Sequence, residues 1–124
     1  MSSSKVRILC TEDDPDSREI LIYVLNDAGY DVESTDSPAQ AVEVIQKEFF
    51  DLILVDNWMP GMSGDKLTRK IRKFNLSTPI LFYSGAAYES DKQRALESGA
   101  QGYLVKPNDI TSVVSEVNRP NCGG

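Results

Sequence analysis

Four short apolar runs punctuate the sequence: Val6–Cys10, Leu52–Val55, Ile80–Tyr83 and Tyr103–Val105. Each has the length of a strand and is too short for a buried helix. A fifth segment, Asp31–Thr35, is more polar and alternates along its length. Between these runs the pattern changes to helical spacing. Asp14 suits a helix cap, Pro15 the first turn and Gly29 the C-terminal stop. The apolar positions of this first helix are Ile20, Leu21, Val24, Leu25 and Ala28. Ser37-Pro38-Ala39-Gln40 reads as a capping box with proline in the first turn, and Ala41, Ile45 and Phe49 then recur every four residues. A third helix carries Leu67, Ile71 and Phe74, and a fourth runs from about Glu89 to Ser98, where Gly99 ends it. A short fifth has Ile110, Val113, Val114 and Val117.

Strands that alternate with helices imply a parallel sheet covered on both faces. The continuous runs 52–55 and 80–83 suit central strands buried on both sides. Segment 31–35 carries charge and suits an edge. Right-handed crossovers then favour the strand order 2-1-3-4-5.

Length and charge narrow the function. A chain of 124 residues is one domain by size. We expect residues 1–118 to form it and 119–124 to be a flexible C-terminal tail. Thirteen basic against nineteen acidic side chains give a net charge of −6, which argues against direct nucleic-acid binding. The absence of histidine excludes histidine-based zinc sites and Ser-His-Asp chemistry. Cys10 and Cys122 make no disulfide framework, and no apolar run approaches the about 20 residues that cross a bilayer. A cytoplasmic location without membrane contact is the expectation.

In a parallel sheet, whatever follows each strand lies along one rim, and ligands bind there. Thr11, Glu12, Asp13 and Asp14 follow the first strand. Asp56 follows the third, Ser84 the fourth and Lys106, before Pro107, the fifth. Crowded carboxylates repel, and a hard divalent cation such as Mg²⁺ resolves that repulsion. A carboxylate beside such an ion can attack phosphorus, with an ammonium and a hydroxyl at hand for the transferring oxygens. Asp14 and Asp16 are read as helix-cap and dipole partners instead of ligands.

The pieces "RILCTEDDPDSR", "DLILVDNWMPGMSG", "ILFYSGA" and "SGAQGYLVKP" occur in this order at the ends of the strands. Over nearly its whole length the chain resembles the receiver domain of a bacterial two-component response regulator, of the single-domain CheY-like kind. The resemblance implies a flavodoxin-like (βα)5 doubly wound fold and a phosphorylation switch, not a metabolic enzyme. It makes Asp56 the phosphoacceptor. Glu12, Asp13 and Asp56 become the carboxylates that hold Mg²⁺, Glu12 through water and Asp13 directly, with the backbone carbonyl of Trp58 as a further ligand. Ser84 becomes the switch hydroxyl, Lys106 the lysine that pairs with the phosphoryl group, and Tyr103 the aromatic that turns inward on activation. It implies a sensor histidine kinase or phosphotransfer protein as donor. It also implies a downstream effector or output domain that reads the fourth helix, fifth strand and fifth helix, with phosphorylation-dependent homodimerisation as one readout. The indole of Trp58 either lies over the site and limits attacking water, or packs on its loop, or waits for a partner protein.

Two rivals differ in class. A haloacid-dehalogenase-type phosphohydrolase wants a second acid two residues after its nucleophile, where this chain has Trp58. A pseudo-receiver would act by protein interaction alone, and the acids together with Lys106 argue against it.

Overall fold

The computed structural model describes residues 6–35, 37–56, 59, 61–85 and 88–105. The chain alternates strand and helix: β1 Arg7–Thr11, α1 Pro15–Asp27, β2 Asp31–Thr35, α2 Pro38–Lys47, β3 Leu52–Val55, α3 Gly64–Arg72, β4 Ile80–Ser84, α4 Glu89–Ser98 and β5 Gly102–Val105. The strands form one parallel sheet in the order β2-β1-β3-β4-β5. This is the flavodoxin-like arrangement expected from the sequence. The fifth helix, the tail 119–124, and Trp58, Lys106 and Pro107 lie outside the described residues.

Period-two alternation divides each central strand between two cores. Leu9, Ile53, Val55, Ile80 and Phe82 face Ala41 and Ile45 of α2, Leu67 and Ile71 of α3, and Ala95 of α4. Ile8, Cys10, Leu52, Leu54, Leu81 and Tyr83 face Leu21 and Leu25 of α1. Each fully buried aliphatic side chain contributes about 1.5–3 kcal/mol. The edge strand β2 is largely exposed, as its polarity requires.

Local signals set most helix ends. Asp14 Oδ2 accepts from Ser17 N at 2.9 Å, and Ser37 Oγ accepts from Gln40 N at 3.3 Å. Gly29 and Gly99 take the left-handed conformation that stops α1 and α4, with φ of 98° and 116°. Four expected core positions are corrected. Ile20 is 55% exposed, because α1 buries only the narrow stripe of Leu21 and Leu25. Phe49 is 70% exposed, because Glu48 turns to extended backbone and Phe50 takes the core place. Phe74 lies beyond the end of α3 in a turn and is 41% exposed. Ala28 caps α1 and is exposed as well.

Arg7 organises the rim at the N-terminal ends of the strands. Its guanidinium pairs with Glu48 at 2.9 Å and with Asp31 and Glu33 at 3.4 Å, and it lies 4.7 Å over the Phe50 ring. It also donates to the Phe49 carbonyl at 3.1 Å, and its backbone N–H donates to Asp51 at 2.8 Å.

Candidate functional site: an acidic cluster at the carboxyl rim

Strand register brings the site together. Thr11 stands opposite both Thr35 and Val55, and Ser84 opposite Val105, so these strands end on one rim. Ladder hydrogen bonding continues one step further. Glu12 N donates to Thr35 O and Asp56 N to Thr11 O, each at 3.3 Å. The backbones of two acids are thereby fixed where regular pairing stops.

Glu12, Asp13 and Asp56 each offer a carboxylate oxygen, and these atoms all lie within 4.8 Å of one another. Glu12 is 2% and Asp56 8% exposed, whereas Asp13 is half-buried. The Glu12 carboxylate accepts from Asp14 N at 3.2 Å, and Arg18 Nη1 donates to Glu12 O at 2.9 Å, which holds the β1–α1 turn. Asp14 turns away to cap α1, so it is a cap as expected. An oxygen-only donor set of this size fits Mg²⁺, whose opposed ligands at about 2.1 Å stand about 4 Å apart. Partly desolvated acids this close also give a divalent cation more to stabilise than exposed ones would.

Ser84, 1% exposed, lies on the same rim. Tyr103, opposite Phe82 in register, stacks its ring on Phe82 at 5.7 Å between centroids and 17° between planes. Its hydroxyl shares a hydrogen bond with Ser84. Burial holds the phenol pKa above its ordinary value; Asp91 and Asp56 add to that rise, and the Ser84 bond and Arg94 oppose it. Asp91 and Arg94 form an ion pair in the first turns of α4, with Asp91 7% exposed.

The structure thus brings together Glu12, Asp13 and Asp56, and separately joins Ser84 to Tyr103. Two supporting features have no signature in the spacing of apolar and polar residues. One is the Asp91–Arg94 pair. The other is Gly64, the first residue of α3. A Cβ there would run into the Asp56 carbonyl oxygen and stand 2.8 Å from Phe82 Cε2. The only signal for it was a glycine eight residues after Asp56, in a loop that already had one.

Comparison with known proteins gives a consistent picture. The family model described as response regulator receiver domain matches residues 8–118. The sensor protein GacS of Pseudomonas syringae is 36% identical over 112 residues, which is 86% of this chain and 12% of that protein. A CheY-like receiver domain protein from Methanospirillum hungatei has a TM-score of 0.85 at 28% identity, covering 92% of this chain and 91% of that one. The receiver domain of the sensor histidine kinase PA1611 from Pseudomonas aeruginosa was solved with magnesium in its active-site cleft. It has a TM-score of 0.86 at 28% identity, covering 94% of this chain and 97% of that one. The chain spans 9–12% of the length of the sensor proteins it matches.

Proposed function

The chain belongs to the response regulator receiver domain family, signalling modules of two-component systems, and on that premise we propose that it is a switch set by phosphorylation of Asp56. The observation that carries this reading is the convergence of three carboxylates at one end of the sheet, with Asp56 among them. An Asp56 oxygen attacks the phosphorus of a phosphohistidine on a sensor kinase or phosphotransfer protein. The O–P bond forms as the P–N bond breaks, and the imidazole leaves. Glu12, Asp13 and Asp56, with the Trp58 carbonyl, are the residues that would hold Mg²⁺. That ion would neutralise charge on the phosphoryl oxygens. Lys106 pairs with the same group, and Ser84 hydrogen bonds to it. Hydrolysis of the aspartyl phosphate resets the switch.

Tyr103 follows Ser84, and the surface of α4, β5 and the segment carrying Ile110, Val113, Val114 and Val117 is the readout. A downstream effector or output domain reads it, or a second copy in a phosphorylation-dependent homodimer. This is a population shift biased by phosphoryl contacts. A cytoplasmic setting fits a kinase donor, and among the described residues no helix is long and apolar enough to cross a membrane.

The test is intact mass after incubation with acetyl phosphate, in Mg²⁺ and in EDTA, beside Asp56→Asn. One added phosphate that requires Mg²⁺ and vanishes in the variant is the expected outcome. An adduct that persists in Asp56→Asn would sink the assignment. Neither an adduct nor a response to beryllofluoride would leave a module that works by binding alone.

A further inference from the structure

The end of α4 remote from the acidic cluster is fastened by one side chain. Arg72, the last residue of α3, donates Nε–H to the Gly99 carbonyl, Nη1–H to the Asn75 carbonyl and Nη2–H to Gln101 Oε1, each at 3.0 Å. Gln101 Oε1 also accepts from Ile80 N at 2.7 Å, and Gln101 N donates to Ile80 O at 2.8 Å. Asn75 is itself fixed, its Oδ1 accepting from Ser77 N and Thr78 N at 3.1 and 3.0 Å. One guanidinium therefore ties the end of α3, the turn into β4, the C-cap of α4 and the start of β5. Gly99 makes room for it, because a Cβ there would stand 2.9 Å from Arg72 Cγ. A planar fork of donors suits three acceptors at fixed angles, and a lysine ammonium cannot reproduce it. Among the described residues no carboxylate pairs with Arg72. Its hydrogen bonds all go to neutral oxygens of turns, so it acts as a fastener of backbone.

The other end of α4 is held differently. Its N-cap, Tyr88, makes no side-chain cap bond and is 74% exposed. Glu89 and Ser90 are exposed too, and the Asp91–Arg94 pair of the first turns lies toward Tyr103. One end of the helix is thus pinned to neighbouring turns, and the other adjoins the residues that rearrange. A ten-residue helix is about 15 Å long, so a small rotation about the pinned end carries the opposite end appreciably.

We propose that Arg72 is a positioning residue of the switch, making the C-terminal end of α4 a fixed pivot so that rearrangement at Ser84 and Tyr103 swings its N-terminal end instead of displacing the whole helix. This rests on the phosphorylation reading above and says how that signal is shaped.

Two measurements on the full chain test it: backbone amide exchange, and chemical-shift mapping of a beryllofluoride titration in Mg²⁺. In the wild type, shifts should concentrate at 88–95 and leave 99–101 in place. In Arg72→Gln, exchange at Gly99, Ala100 and Gln101 should rise by about tenfold or more while the first turn of α4 is unaffected. The beryllofluoride shifts should then spread into 99–101, with Mg²⁺ affinity unchanged. Arg72→Lys should behave like the glutamine variant. Gln101→Ala, which removes one exposed acceptor, should give a weaker form of the same pattern if Arg72→Gln does not fold. A variant with lower thermal stability but wild-type shift distribution and uniform exchange overturns the proposal and leaves Arg72 an ordinary structural residue. A wild-type response that engages 99–101 as strongly as 88–91 overturns the pivot alone. A wild-type chain silent to beryllofluoride overturns the switch reading beneath it.

Discussion

At the scale of single residues, burial decides which groups can do chemistry. Cys10 lies fully buried two residues before Glu12. Burial, aided by the charge of Glu12, pushes its thiol from 9.0 up to about 12. The folded protein therefore favours the neutral thiol. That contribution to stability is complete below pH 9 and is lost as pH rises from 9 toward 12. Urea midpoints at pH 8 and pH 10 should show a decline that is shallower in Cys10→Ala; equal slopes would remove Cys10 as the cause. Alkylation of native protein should be slow at Cys10. Much at this scale was legible in the sequence. Glu12, Asp13 and Asp56 could be placed together because each follows a strand, and strand ends converge by topology alone. Asp14 could be told from its neighbours because a cap sits one residue before a proline-led helix. Arg72 could not be read, because its three acceptors, at 75, 99 and 101, only meet once two turns are folded against each other.

Helices and their seats make the next scale. α3 begins so close to the Asp56 carbonyl that its first residue has no space for a side chain. Gly64→Ala must therefore push α3 away or move the Asp56 backbone. We expect a loss of about 1–3 kcal/mol by urea denaturation, as for overpacking. We also expect slower phosphorylation by acetyl phosphate than the stability loss accounts for. Wild-type rates in a fully folded variant would show that the seat of α3 does not position Asp56. Phe49 and Phe74 are exposed for one reason: helical spacing in the sequence continues past the true ends of α2 and α3. Helix length was settled by chain reversal into the next strand, not by the apolar repeat. The capping residues of α1 and α2 marked their starts well, because a cap bond is made within four residues.

For the molecule as a whole, the acidic cluster stands at one end of the sheet and the Arg7 and Arg72 fastenings at the other. A cation held by Glu12, Asp13 and Asp56 would bridge the turns after β1 and β3 and would bind the folded state alone. Melting temperature should then rise with Mg²⁺ concentration by mass action, about 2.7 kcal/mol at one hundred times Kd. EDTA should reverse the rise, and Asp13→Asn should blunt it. Melting unaffected by Mg²⁺ would argue against the site. The strand order was legible because the polar segment 31–35 could only be an edge.

That edge carries one more consequence. β2 offers a row of backbone donors and acceptors on its outer side, a template on which another strand could grow. Asp31 and Glu33 point charge along it, and Arg7 reaches out from β1 to hold both. The latch does more than join strand to strand. With Glu48 the group sets three acids against one cation, so this rim stays net negative and two copies meeting edge to edge repel before they can pair. The folded module is in this way guarded against edge-to-edge association with itself.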